Sequence, residues 1–473
     1  MFLRQIFDPH LSQHSYLIGC QRTGETIVID PERDIDRYRA IAAEEGLRLT
    51  AVAETHIHPD FVSGARELAE DPSVRAFLSA EGGPDWQVEW ARGASNVTLL
   101  HDRDFFKVGN IQFQALHTPG HTPEHLVYLV TAIGGGANEP VALLTGDFIF
   151  VGDVGRPDLL EQAAGFAGTQ EVGARQLYAS LRGVAHLPCH LEILPAHGAG
   201  SACGKALGSV PFSTFGYELK FNPAFRLALD GTEDDFVKFI LSGQPEPPAY
   251  FANMKHVNKV GTIVLGTLPQ PRQMNLDEIS GRLNQPNFVV LDTREDRAAF
   301  RARHLRGSLF VPEAKFSDFA GSYLQPENEV VLMVKDLTHA DEFVRQFVRI
   351  GFEHIVGVLL ASTIATAPKS TVKSTVALSF AEVPAMLASG VEFRVLDVRS
   401  ATEFAGAHLR GAQNIAHSRL RPRLNEVPPD IPLLVHCANG LRAASACSFL
   451  ERRGIEVVCV SDAFKNAPAS MLA

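Results

Sequence analysis

The sequence lacks the features that mark a disulfide framework, a membrane span or a surface for polyanions. Its 473 residues contain six cysteines, at 20, 189, 203, 437, 447 and 459, with no dense spacing and no Cys-x-x-Cys pair. Free thiols in a reducing compartment are the expectation. Basic side chains number 43 against 54 acidic ones, a formal charge of −11, which argues against nucleic acid or an anionic membrane as partner. The chain opens Phe2-Leu3-Arg4-Gln5-Ile6-Phe7-Asp8 with no basic segment leading into an apolar core, and no later run approaches a membrane span. A cytoplasmic location is therefore expected. What is present is the composition of a soluble globular protein, 45% apolar and 21% charged. The length calls for roughly two to four domains.

Three fragments stand where an apolar, β-forming run gives way to a loop. Leu49 to Glu54 precedes Thr55-His56-Ile57-His58-Pro59-Asp60-Phe61, Ile111 to Leu116 precedes Thr118-Pro119-Gly120-His121, and Val141 to Leu144 precedes Thr145-Gly146-Asp147. Pro195-Ala196-His197-Gly198 follows them. Strand ends deliver side chains from distant positions to one point. Imidazole and carboxylate are good ligands for first-row divalent metals, and a 2-His-1-carboxylate face on non-haem iron(II) leaves positions open for substrate and dioxygen.

Taken in order, these fragments resemble the metallo-β-lactamase superfamily, whose pattern runs Thr-His-x-His-x-Asp-His, then a later His, a bridging Asp and a final His. The resemblance covers about residues 1 to 250 and implies an αββα sandwich. In the superfamily's dinuclear hydrolases the last Asp-His pair of the first motif helps hold a second metal; here the pair is Asp60-Phe61. Phenylalanine has no lone pair to donate. The resemblance therefore narrows to the mononuclear persulfide dioxygenases, relatives of glyoxalase II that oxidise glutathione persulfide. It implies one Fe(II) per chain held by His56, His121 and Asp147, with His58, Asp60 and His197 orienting ligands and substrate through hydrogen bonds. Arg156, Lys220 and Asn222 are candidates to anchor an anionic thiol. Cys203, in the glycine-rich loop after the final His motif, is a candidate auxiliary thiol, whereas Cys20 reads as packing.

The second half of the chain contains a repeat. Val289-Val290-Leu291-Asp292-Thr293-Arg294 with His304-Leu305-Arg306-Gly307 returns as Val395-Leu396-Asp397-Val398-Arg399 with His408-Leu409-Arg410-Gly411. Each copy then reaches a second apolar strand, Val330 to Val334 and Leu433 to Val435, and the strand–helix alternation implies a parallel sheet covered on both faces. After that strand the later copy reads His436-Cys437-Ala438-Asn439-Gly440-Leu441-Arg442. A cysteine there meets turn N–H groups, the positive end of a helix and the Arg442 cation, all of which favour a thiolate. The segment resembles the active-site loop of rhodaneses, sulfurtransferases that carry sulfane sulfur on a cysteine, over about residues 376 to 465. In the earlier copy Asp336 stands at the position of the cysteine and Asp341 at that of the arginine. A carboxylate cannot carry a transferable sulfur, so that copy reads as inactive.

The expected organisation is thus a metallo-β-lactamase-like domain over 1–250, an inactive rhodanese-like domain over 260–362 and an active one over 376–473, the last two doubly wound α/β. Val210 to Arg226 and Glu233 to Leu241 read as the helical close of the first domain, and Ala361 to Thr375 as a linker. By resemblance the iron site oxidises a low-molecular-weight thiol persulfide, with glutathione the obvious thiol, to sulfite using O2. Cys437 then makes or uses thiosulfate, a pairing suited to sulfide detoxification, in a chain expected to form a homo-oligomer. Two alternatives stand beside this reading: a glyoxalase II-like zinc thioester hydrolase, and a metal domain that only binds ligand beside a rhodanese sulfur carrier.

Overall fold

The computed structural model describes residues 1–164, 168–388, 390 and 392–473. It divides into two compact units, Met1–Pro247 with Phe251–Thr267, and Pro248–Tyr250 with Leu268–Ala473. No helix among the described residues is long and apolar enough to cross a membrane.

The first unit holds two six-stranded sheets. One runs in chain order through Phe2–Asp8, Gln13–Cys20, Glu25–Ile29, Arg48–Ala53, Arg75–Ser79 and Val97–Leu100. The other is ordered Ser213–Thr214, Glu192–Pro195, Ala142–Gly146, Leu126–Thr131, Ile111–His117, Phe105–Val108. Alternation along Ile111–His117 sends Ile111, Phe113 and Ala115 inward, where they meet Tyr16, Ile18, Ile27 and Ala53 of the facing sheet. Outside the second sheet, the helix Thr169–Val184 buries Ala174, Leu177, Leu181 and Val184, an i, i+3, i+7, i+10 stripe. Tyr38, Ala65 and Leu68 from two shorter helices cover the outer face of the first sheet. The result is the expected four-layered αββα sandwich.

The first unit continues further than the expected boundary near residue 250. The helix Phe251–Val260 buries Phe251, Met254 and Asn258 against it. The segment beyond is tied down by Arg33, which donates to the Ile263 carbonyl, and by Glu67, whose carboxylate accepts the N–H groups of Leu265 and Gly266. Residues 260–267, assigned from sequence to the second domain, therefore belong to the first. The Pro-rich stretch at 245–248 interrupts the helices without ending the unit.

Within the second unit the repeat is visible as two parallel sheets of one topology. The earlier is ordered Leu309–Phe310, Phe288–Asp292, Glu329–Val334, Ile355–Leu360. The later follows the same order, Gln413–Asn414, Arg394–Asp397, Leu433–His436, Val457–Val460, and adds Val376–Leu378 at the edge. The stretch Ala361–Thr375 is more than a linker. Val372–Lys373 pairs antiparallel with His304–Leu305, and Arg303 donates to the carbonyls of Ile364 and Ala367. The C-terminal tail repeats this device through the bridge Leu409 to Leu472.

Candidate active sites

The loops that leave Arg48–Ala53, Ile111–His117, Ala142–Gly146 and Glu192–Pro195 converge between the sheets of the first unit. There His56, His121 and Asp147, all buried, bring one ligand atom each to within 4.8 Å of one another. His56 Nδ1 lies 2.9 Å from Thr55 Oγ1, which itself donates to Asp30 at 2.8 Å, so the ring donates through Nδ1 and keeps a bare lone pair on Nε2. His121 Nδ1 likewise donates to the Arg156 carbonyl at 2.9 Å. Both Nε2 atoms and both Asp147 oxygens are buried without a hydrogen-bond partner. Burial lowers the pKa of both imidazoles, most of all His56, which also faces other histidines, so both rings are held neutral. Two neutral imidazoles and a carboxylate, bare and convergent, fit a divalent first-row metal.

Around this set the structure builds two further polar clusters. His58 Nε2 sits 2.8 Å from Glu54 and 3.2 Å from Asp30. Burial opposes charge on His58, yet the two carboxylates together raise its pKa well above the usual imidazole value. Burial in turn raises that of Glu54 to about 7. His197 Nε2 lies 3.2 Å from Asp60 and 3.5 Å from Asp147, with the Cys203 thiol alongside. Phe61 is fully buried, its ring 4.3 Å from that of His58. Gly155 permits the close packing of the Arg156 loop, since a Cβ there would fall 1.7 Å from the Asp147 carbonyl.

In the second unit Cys437 is buried at the carboxyl end of Leu433–His436, and Gly440 N–H donates to its sulfur at 3.1 Å. Gly440 adopts φ +87°, and a side chain there would meet the Ser461 backbone at 3.0 Å. Helix Leu441–Arg452 starts at once, so its positive end faces the thiol. Arg442 forms a two-pronged pair with Glu403 at 2.7 Å on each arm. Although burial works the other way, the arginine and the Ser400 cap lower the Glu403 pKa to about 2. In the earlier repeat Asp336 is half-exposed and caps its own turn, accepting from Thr338 and His339, while Asp341 pairs with Arg345 at 2.8 Å.

A profile of the metallo-beta-lactamase superfamily matches residues 9–197, and one of the rhodanese-like domain matches residues 379–466. The crystal structure of a metallo-beta-lactamase from Staphylococcus aureus subsp. aureus COL is 38% identical with a TM-score of 0.66, covering 76% of this chain and 99% of that one. The chain belongs to the metallo-beta-lactamase superfamily. Among curated proteins, a "probable metallo-hydrolase" of Burkholderia pseudomallei is 30% identical over 263 residues, 50% of this chain and 84% of that protein. The mitochondrial persulfide dioxygenase ETHE1 of Bos taurus is 28% identical over 202 residues, 42% of this chain and 68% of that one. One chain thus joins a metallo-beta-lactamase domain to a C-terminal rhodanese-like domain.

Within the metallo-beta-lactamase domain, the three residues expected to anchor a thiol do not converge on the metal cluster. The Arg156 guanidinium is buried and engaged by Asp158 at 2.8 and 2.6 Å and by the carbonyls of Ala202 and Pro245. Asn222 is buried as the cap of helix Pro223–Asp230, donating to Asp153 and Glu218. Lys220 is exposed, 5.2 Å over the Phe221 ring. A charge two residues from another of opposite sign, and an asparagine before a proline, are the local sequence signals of these structural contacts.

Sequence reasoning missed two residues. His125 Nε2 accepts the Asp147 N–H, and its ring stacks 5.1 Å from His56. Asn258 donates to the carbonyls of His58 and Phe61 at 2.7 Å each and accepts Ser63 N–H at 2.9 Å, locking the first motif. The spacing Thr118 to His125 carried a signal for the first; nothing local marked the second.

Proposed function

We propose that this chain is a non-haem Fe(II) persulfide dioxygenase coupled to a Cys437 sulfurtransferase. The observation that carries the reading is the bare, convergent set His56 Nε2, His121 Nε2 and Asp147 carboxylate, beside a buried Phe61 where a further ligand would stand. One iron(II) held by that set would leave open positions for a thiol persulfide and O2. The chain's own groups fix the rest. Thr55 and the Arg156 carbonyl hold the two rings in the tautomer that presents Nε2, and His125 aims the Asp147 loop. In the overall change the terminal sulfur is oxidised to sulfite, dioxygen takes its electrons, water supplies the third oxygen, and the thiol is released.

A cavity of about 640 Å³ beside the His121 loop is lined by Trp86, Gly120, Gln176, Lys255, His256 and Lys259. Its cationic side chains suit the anionic, non-reacting part of a small thiol, with glutathione the first choice. Cys437 takes the sulfane sulfur of a second thiol persulfide, releasing that thiol, and transfer of the sulfur to sulfite yields thiosulfate and restores the Cys437 thiol. The same reading includes a cytoplasmic homo-oligomer acting in sulfide detoxification.

The test is oxygen uptake with matched glutathione, coenzyme A and other small-thiol persulfides, with sulfite, thiosulfate and bound iron measured together. Zinc in place of iron, thioester hydrolysis and no oxygen uptake would overturn the reading in favour of a hydrolase like the Burkholderia relative.

A further inference from the structure

The earlier repeat reaches the end of the later sheet from which Cys437 emerges. Its helix Phe316–Tyr323 lies against the turn His417–Arg419, and the Phe319 ring meets the His417 ring edge-on at 5.2 Å. His417 N–H bonds the Val398 carbonyl and Val398 N–H bonds the His436 carbonyl, so His417 and Cys437 leave the same end of the sheet. His417 Nε2 lies 3.8 Å from Asp318 Oδ2, too long for a hydrogen bond but close enough for the carboxylate to draw the Nε2–H to its side. Nδ1 is buried with no hydrogen-bond partner, in a side chain that is itself nine-tenths buried. Burial lowers the pKa of the ring, against Asp318 and Glu403 and with Arg442 and Lys315, so the imidazole is neutral and Nδ1 keeps its lone pair. Arg442, paired with Glu403, feels the charges of both Cys437 and Asp318, which gathers the thiol and the Asp318–His417 pair around one guanidinium.

We propose that His417, oriented by Asp318 of the earlier repeat, carries the proton when Cys437 takes sulfur from a thiol persulfide. The Cys437 thiolate attacks the terminal sulfur, and the new S–S bond forms as the S–S bond of the donor breaks. The S–H proton of the donor passes to His417 Nδ1 and from there to the departing thiolate, which leaves as the thiol. Cys437 is left as a persulfide anion beside the Gly440 N–H and the positive helix end. Thiosulfate as donor departs as sulfite, a stable anion, and moves no proton. The repeat without a cysteine thereby sets which donor the other repeat uses well. This proton path presupposes the Cys437 sulfurtransferase reading and owes nothing to the metal domain.

Sulfur is loaded onto Cys437 of the full chain without oxygen, from glutathione persulfide or from thiosulfate, by quenched flow, with the added sulfur read by mass and Cys437→Ser as the blank. His417→Gln should slow loading from the persulfide by about 100-fold and leave loading from thiosulfate at the wild-type rate. Asp318→Asn should move the ratio of the two rates in the same direction by less. Equal slowing with both donors, or wild-type loading from the persulfide in His417→Gln, overturns the proposal. An unchanged ratio in Asp318→Asn overturns it even where His417→Gln fails to fold. If the wild type takes sulfur from neither donor, the sulfurtransferase reading falls and the proton path falls with it.

Discussion

His125 Nε2 accepts the backbone N–H of Asp147 at 3.1 Å, and the opposite nitrogen of the same ring contacts Thr118 Oγ1 at 3.0 Å. The ring is buried, and burial together with the nearby histidines lowers its pKa well below the usual value, so it stays neutral and keeps the lone pair that this bond needs. His125 thus links the loop that carries His121 to the loop that carries Asp147 without offering a donor to the metal. His125→Ala is expected to weaken metal binding by about 10- to 100-fold, the usual loss when a group that orients a ligand is removed. A chelator competition titration measures it. Affinity equal to wild type would show that the Asp147 loop holds its place unaided.

Asn258 acts on the other side of the site. Its amide satisfies the carbonyls of His58 and Phe61, which flank Asp60, from a helix two hundred residues downstream. Asn258→Ala leaves buried polar groups without partners, a cost of about 1–3 kcal/mol for each. The expected result is a lower melting temperature for the first unit together with reduced oxygen uptake. Asn258→Asp keeps only the acceptor toward Ser63 N–H, so it should recover little. A variant with wild-type melting would mean that water replaces the amide.

These two residues show where the sequence was legible and where it stopped. His56, His121, Asp147, His197 and Cys437 could be read because each follows a short apolar strand whose end must enter a loop, and because chemistry restricts the residue type there. The inward alternation of Ile111, Phe113 and Ala115 made the sheets readable for the same local reason. Asn258 could not be found that way. An asparagine on an amphipathic helix is ordinary in local pattern, and only the tertiary fold brings it under the first motif. Arg156 was legible only in part: its charge suggested a ligand anchor, and only the fold shows that Asp158 pairs with it inside the protein.

The earlier repeat, which has Asp336 where the later one has Cys437, touches the loop of the later one. Arg297 Nη1 donates to the Asn439 carbonyl at 2.7 Å, inside the turn that carries Cys437. Ser445 and Ser448, on the helix that follows the turn, bond the Phe310 backbone of the earlier repeat. Arg297→Ala removes one charge-assisted bond at a solvent-exposed site, at most about 1 kcal/mol, so sulfur transfer from thiosulfate should slow by no more than roughly 5-fold. Oxygen uptake should not change. An equal loss in both activities would place the effect in general stability instead of in the loop.

His436, next to Cys437, sets a pH dependence. Its ring is buried between Phe380 and Phe464, with centroids at 5.7 and 5.5 Å, and both nitrogens lack hydrogen-bond partners. Burial lowers its pKa to about 4, with Arg399 acting in the same direction and Asp397 against it. The unfolded chain, with an ordinary value near 6.5, therefore binds more protons than the folded one at any pH between the two. The stability at stake is complete above about pH 6.5 and is lost as pH falls toward 4, at most about 3 kcal/mol. Hydrogen exchange of amides in Leu433–His436, corrected for intrinsic rate, should lose up to roughly 100-fold protection between pH 6.5 and 4.5. His436→Phe keeps the ring stack and removes the titrating nitrogens, so its profile should be much flatter. A residual slope is expected from His417, whose pKa burial also lowers. Identical slopes for wild type and His436→Phe would mean that the buried ring already shares a proton in the folded state.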